Sequence, residues 1–281
     1  MSAVLAAVGD GAVIAKRNLI KIKRVPDVLV FVLMSPIMFV LLFAYVFGGS
    51  IEIPGIAYRE WLIAGIFAQT VVFGSTFTGA GIAEDIQKGV IDRFRSLPMF
   101  QPAVVLGRTV SDVVYNVLSI AIMTITGLAV GWRVRGSFLD ALAAFALLLL
   151  FAYAFSWVMA YVGLLVPSVE VINNASFMVI LPLTFISNAF VRLESLPGPL
   201  QTFAEWNPVS AVTQSSRELF GNAPSAEQIT QLQSQGVDVP AVSSAWSMQH
   251  PVAYTLIWVG IIIIVFAPLS MRRYRRSTSR G

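Results

Sequence analysis

The sequence contains no cysteine and a single histidine, His250. Without a thiol there is no disulfide, no thiolate metal site and no cysteine nucleophile. One imidazole cannot make the paired-histidine sites on which much zinc catalysis rests. Charge is scarce as well: 12% of residues are charged and 57% are hydrophobic, where a globular chain carries roughly 25% charged residues. A soluble helical bundle would need more polar surface than this, so a membrane protein is expected. A nucleotide-binding loop is missing too. Gly9–Lys16 has the outline of one, but no glycine precedes the lysine, Arg17 stands where Ser or Thr belongs, and no strand leads into it.

What the chain has in quantity is long runs without charge. A spanning helix needs about 20 mostly apolar residues, and six runs qualify: Val28–Ile51, Trp61–Ala83, Val113–Trp132, Ala141–Val169, Val171–Val191 and Pro251–Met271. The first is too long for a signal peptide and lacks a small-residue cleavage pattern, so the chain is expected to keep its N-terminus. Ahead of it, Leu5, Val8, Ala12, Leu19 and Ile20 recur at helical spacing opposite Lys16, Lys21 and Lys23, and Pro26 follows. This predicts an amphipathic helix over 1–26 lying in the membrane interface. The expected fold is all-α integral membrane, one domain over 1–281, with six spans within 27–271 and a basic tail over 272–281.

The basic residues orient it. Among the 19 lysines and arginines, only Arg59, Arg133, Arg135, Arg192 and Arg217 fall in the loops opposite the N-terminal stretch, the loop after the second run and the tail. Positive residues stay cytoplasmic, so both termini are expected inside and the segment 192–249 outside. The net charge of +4 follows from this asymmetry and from neighbouring anionic headgroups; membrane lipid is the expected partner, and nucleic acid is not.

One cytoplasmic segment, EDIQKGVIDRFRSLP at 84–98, is dense in charge. Ile86, Val90, Phe94 and Leu97 fall on one helical face and Asp85, Lys88, Asp92 and Arg95 on the other, which reads as a short amphipathic helix stopped by Pro98. The plainer alternative is a solvated loop. Outside, Leu196, Leu200 and Phe203 form one stripe and Val209, Val212, Leu219 and Phe220 another, separated by Asn207-Pro208. Each piece is too short to span, so the pair is expected to re-enter toward the last two spans and close the outer mouth. Ser225 and Gln228, with Gly236 behind them, mark a capped surface helix. Gly74–Gly81, Gly127 and Gly131 offer small faces for helix packing. Asn173, Asn174 and Asn188 are polar candidates for lining a substrate path.

Two stretches resemble a known family. Glu84-Asp85, Gly89, Asp92-Arg93-Phe94-Arg95-Ser96-Leu97-Pro98 and then Gly107-Arg108 with Asp112 resemble the cytoplasmic loop of type-2 ABC-transporter permeases, in the branch typified by bacterial daunorubicin-resistance exporters. Leu181–Phe190, Leu196-Pro197 and Trp206-Asn207-Pro208-Val209-Ser210 are similar to that family's fifth span and outer re-entrant segment. Arg192 stands where these permeases often have proline. The resemblance implies a permease subunit of an ATP-driven exporter in the plasma membrane, moving hydrophobic drugs, lipids or lipid-linked products, and not itself an enzyme. Glu84, Asp85, Gly89, Asp92, Arg93, Phe94, Arg95, Leu97 and Pro98 would form a coupling helix that docks on a separate ATPase subunit. ATP and magnesium would sit on that partner, with no cofactor in this chain. A second permease, identical or paralogous, would complete the pathway, and Leu200, Phe203, Trp206, Asn207 and Pro208 would belong to the outer gate.

Two rivals are weighed against it. An ion-coupled carrier needs carboxylates at mid-membrane, whereas the acids Glu84, Asp112 and Glu170 are expected at span edges. An intramembrane enzyme needs a nucleophile and base or a carboxylate pair inside the bilayer, and this chain has few groups to supply them.

Overall fold

The computed structural model describes residues 34, 36–47, 53, 55–91, 103–166, 168–224, 229, 231, 233–235 and 243–277. The expected interfacial helix over 1–26 and the stretch Asp92–Pro98 lie outside them, and the expected helix after Ser225 is described at isolated positions. Among the described residues the chain is helical, with one isolated bridge between Ile53 and Ile56. In chain order the helices are α1 (Pro36–Val46), α2 (Tyr58–Gly74), α3 (Thr76–Gln87), α4 (Ala103–Val130), α5 (Phe138–Gly163), α6 (Val169–Phe185), α7 (Gly198–Glu205), α8 (Pro208–Phe220), α9 (Trp246–Gln249) and α10 (Pro251–Ser277). Four are long and apolar enough to cross a membrane: α2 and α3 taken together, α4, α5 and α10; α1 and α6 are shorter apolar helices.

Local chemistry sets the helix starts. Ser137 caps α5 reciprocally with Asp140: its hydroxyl accepts from the Asp140 N–H at 3.1 Å while the Asp140 carboxylate accepts from the Ser137 N–H at 3.3 Å. The Ser168 hydroxyl accepts from the Val171 N–H at 3.2 Å to open α6, and Glu170 in its first turn complements the helix dipole. For α8 the cap is Asn207, followed by Pro208, whose missing N–H costs nothing in a first turn; Gly221 ends the helix at φ 71°.

Packing centres on α5, which contacts α2, α3, α4, α8 and α10. Where α3 crosses α5 the backbones touch: a Cβ on Gly163 would lie 2.5 Å from the Gly79 carbonyl oxygen, and one on Gly79 would lie 2.8 Å from that of Met159. Small residues permit this approach, and dispersion between close backbones holds it. At the end of the bundle where α8 lies, Phe67, Trp132, Phe145 and Phe220 form one aromatic cluster, with centroids 5.0–5.9 Å apart, joining α2, α5 and α8.

Several boundaries differ from expectation. The third run was expected to begin at Val113, yet α4 begins at Ala103 and carries Arg108 and Asp112 inside it. The reason is pairing: the two lie four apart on one helix, 3.8 Å between Nε and Oδ1, and both are largely shielded. The fourth run stops at Gly163 rather than Val169, and α6 starts afresh from the Ser168 cap. The fifth stops at Phe185, soon after Pro182. The basic end of the last run continues as helix through Ser277.

Candidate functional site

A cavity of about 460 Å³ lies between α1, α2, α3, α4 and α6. Phe39, Phe73, Phe77, Tyr115, Phe177 and Phe185 give it aromatic walls, and Gln69, Thr70, Thr76, Ser119 and Asn173 give it polar points; among the described residues no charged side chain lines it. Two ring contacts knit the wall, Phe73 to Phe177 at 5.5 Å and Phe77 to Tyr115 at 5.3 Å. The cavity sits where α2 passes into α3 at Ser75, whose hydroxyl donates to the Val72 carbonyl at 2.6 Å. Beside that break the Thr76 hydroxyl is buried without a partner among the described residues. Such a lining suits an amphipathic, largely apolar guest with a few hydrogen-bonding groups.

Behind the wall, α3 and α4 share a polar contact. The Thr78 hydroxyl donates to the Asp112 carboxylate, Arg108 donates to the Phe77 carbonyl at 2.8 Å, and the Asn116 amide donates to the Asp112 carbonyl at 2.9 Å. The Arg108 guanidinium lies flat on Gly81, where a Cβ would be 1.9 Å from it. None of these four polar side chains lines the cavity.

Toward the charged loop, Glu84 and Asp85 continue α3 rather than beginning a separate helix. Lys88 donates to Glu84 at 2.6 Å, a bond that raises the Lys88 pKa, and Gly89 turns the chain at φ 61°. That left-handed turn is open to glycine. It interrupts the expected Ile86–Val90 face, because the two residues sit on opposite sides of the turn; helix resumes at Val90 and Ile91.

At the other end, α6, α7 and α8 form a cap. Asn207 staples it: its amide donates to the carbonyls of Leu183 at 2.7 Å and Ile186 at 2.8 Å, while its oxygen accepts from the Val209 N–H at 2.9 Å. Arg217 is fully buried, donating to the carbonyls of Trp61 at 2.9 Å, Asn188 at 2.6 Å and Ala189 at 3.2 Å, with its guanidinium 3.5 Å from the centre of the Trp61 ring. Beyond it, the Phe220 carbonyl accepts from the Arg135 N–H at 2.8 Å and from the Gly136 N–H at 3.0 Å. Trp132 donates to Asn222 at 2.7 Å, and Asn222 donates to the Arg133 carbonyl at 2.9 Å. Arg135 also grips Glu60 through two bonds of 2.7 and 2.8 Å, which raise the Arg135 pKa.

The three asparagines proposed for a path separate. Asn173 lines the cavity; Asn174 is exposed on the same helix. Asn188 is buried in the cap, with its N–H on Ser210 at 3.1 Å and its amide on Gln214 at 3.3 Å. In the gate set, Asn207 is buried, Pro208 is half-buried, and Leu200, Phe203 and Trp206 are exposed. Sequence reasoning missed Arg217, counted as a loop charge, and the aromatic wall, whose residues are scattered over five helices. The i, i+4 spacing of Arg108 and Asp112 was the signal that could have placed that pair inside a helix.

Residues 11–220 match the ABC-2 type transporter family. The chain is 32% identical over 263 residues, covering 94% of this chain and 85% of the relative, to the daunorubicin resistance ABC transporter permease protein DrrB1 of Streptomyces coeruleorubidus. It is 21% identical over 208 residues to the probable doxorubicin resistance ABC transporter permease protein DrrC of Mycobacterium tuberculosis, covering 74% of this chain and 67% of that one.

Proposed function

The chain belongs to the ABC-2 type transporter family, and on that premise we propose that it is the permease subunit of an ATP-driven exporter for amphipathic aromatic compounds. The observation that carries this reading is the cavity, which among the described residues is lined without charge, walled by six aromatic rings and dotted with hydroxyl and amide groups. Relatives named for daunorubicin and doxorubicin resistance make planar, ring-bearing drugs the class to test first. The nucleotide and its magnesium belong on a separate ATPase subunit, which docks on the loop that begins at Glu84 and Asp85 and runs past the Gly89 turn to Pro98. The proposed topology has six crossings, two of them made by the shorter apolar helices α1 and α6, with both termini on the cytoplasmic side of the plasma membrane. A second permease covers the face of α1 and α6: Asn173 and Asn174 are exposed there beside Phe177, Met178 and Val179, and amides inside a bilayer are better satisfied by protein than by lipid.

The second reading is an ion-coupled carrier, favoured by one finding: Asp112 is buried inside α4 instead of lying at its edge. Its carboxylate, however, is held by Thr78 and Arg108 behind the cavity wall. Proteoliposomes holding this chain and its ATPase separate the two. Accumulation of daunorubicin that requires ATP, persists with an uncoupler and stops with a hydrolysis-dead ATPase is the expected result. Gradient-driven uptake by this chain alone would overturn it.

A further inference from the structure

Helix α7 turns its apolar residues outward. Leu200 is 40% exposed, Phe203 50% and Trp206 47%, while the inward-facing residue is the small Ala204. Next to them lies a file of aromatic rings: Trp206 to Tyr254 at 5.9 Å, Trp246 to Tyr254 at 6.2 Å, Tyr254 to Trp258 at 6.4 Å and Trp246 to His250 at 5.4 Å. The file is anchored, since the Tyr254 hydroxyl donates to the Trp206 carbonyl at 2.8 Å. Glu205, which ends α7, accepts from Ser243 at 2.8 Å, so the polar side of the helix is tied to the chain entering α9.

The position of this file along α10 identifies what covers it. Arg272, Arg273 and Arg275 mark one end of that helix, and Tyr254 lies 18 residues before Arg272. At 1.5 Å per residue the separation is about 27 Å, close to the roughly 30 Å of a bilayer's hydrocarbon. Arginines and aromatic rings therefore stand one bilayer apart on a helix apolar enough to span. Tryptophan and tyrosine favour the boundary between headgroups and acyl chains, where a ring is wetted at one edge and buried at the other.

We propose that α7, with Trp206, Trp246, Tyr254 and Trp258, is an interfacial anchor whose exposed apolar face is covered by lipid of the outer leaflet at the headgroup boundary. This rests on the reading that α10 crosses the bilayer with its arginine end in the cytoplasm. It makes Leu200, Phe203 and Trp206 lipid contacts rather than lining of the exit path, and it leaves sealing of the outer mouth to α8. A helix of eight residues lying flat presents about two turns to the interface, and continuity with α10 keeps it at one depth.

The first test needs no substitution. Trp61, Trp132 and Trp157 are buried, whereas Trp206 and Trp246 are exposed, so quenching by brominated lipid reads the anchor. With the full chain in vesicles, phosphatidylcholine brominated high on the acyl chain should remove more tryptophan fluorescence than lipid brominated near the chain end. Equal, weak quenching by both overturns the proposal. The second test uses the absence of cysteine: nitroxide labels on Leu200→Cys and Phe203→Cys should collide more with oxygen than with a soluble nickel chelate, and a label on Thr202→Cys, on the polar side, should do the reverse. Dominant nickel collisions at 200 and 203 place α7 in water, and protection from both reagents places it against protein; either outcome overturns the anchor. Neither test involves an ATPase or a substrate, so failure here leaves the exporter reading intact.

Discussion

Two arginines lie within the helical body, and they are held in opposite ways. Arg217 is gripped by carbonyls from α2 and from the turn after α6, with the Trp61 ring against its guanidinium. Arg108 has a carboxylate one turn away on its own helix, 3.8 Å off, and a single carbonyl from α3. The first joins three segments through fixed backbone dipoles; the second is mostly an affair within α4. A charge satisfied by backbone from several elements makes those elements one body. A charge satisfied along one helix leaves the neighbouring helix joined by little more than Thr78, Phe77 and the glycine faces. Among the described residues the cap is thus the more tightly cross-tied end, and the contact between α3 and α4 is the looser.

Substitutions can break that contrast. Arg217→Ala should have the largest effect, about 4 kcal/mol or more, because it opens a cavity and removes a charged donor from three buried carbonyls. Thermal unfolding in detergent is the readout, and Arg217→Lys should recover part of the loss. If Arg217→Ala melts like its parent, the cap is not the more tightly tied end. Next comes Gly79→Val, which forces side-chain bulk into the crossing with α5 and should cost about 1–3 kcal/mol. Replacing the inner pair together, Arg108→Met with Asp112→Leu, should change stability by less than about 1 kcal/mol, since a well-packed apolar pair can stand in for buried charges. Arg108→Met alone should be worse than the double variant, because it strands the carboxylate. Arg135→Gln should matter least: the Arg135 side chain is 60% exposed, so solvent and salt screen its end of the bridge, and although Glu60 is only 9% exposed a glutamine amide can still donate to its carboxylate. Its melting temperature should stay near that of the parent and depend less on salt.

The same contrast explains how much could be read in advance. Runs free of charge located four of the helices well, because for most of their length apolar composition and helix coincide. The method failed where a charge was satisfied internally. Arg108 and Asp112 made the expected third run begin ten residues too late, and Arg217, placed with the outer-loop charges, proved the most deeply buried cation among the described residues. Charge content reports the cost of burial but is silent on whether carbonyls wait at the other end. Asn207-Pro208 was legible as a break because a capping side chain and a first-turn proline are local signals. The Ile86–Val90 stripe failed for a local reason that was also visible, the glycine between them. The aromatic wall was illegible, since no spacing in one dimension brings Phe39, Tyr115 and Phe185 together.

The glycine crossing has a mechanical meaning. With backbones touching at Gly79 and Gly163, and the Met159 and Ile172 side chains 3.3 and 3.4 Å from where a Cβ on Gly79 would lie, α3 comes closest to α5 at this crossing, which would be the fulcrum if α3 tilted as a unit. From Gly79 to Gln87 is eight residues, an arm of about 12 Å, and from Gly79 back to Thr76 is three, an arm of about 4.5 Å. A sideways push on Gln87 therefore reaches Thr76 reversed in direction and reduced to about two-fifths. Such a lever would be geared down, so that a stroke at Gln87 would become a smaller shift at the cavity wall.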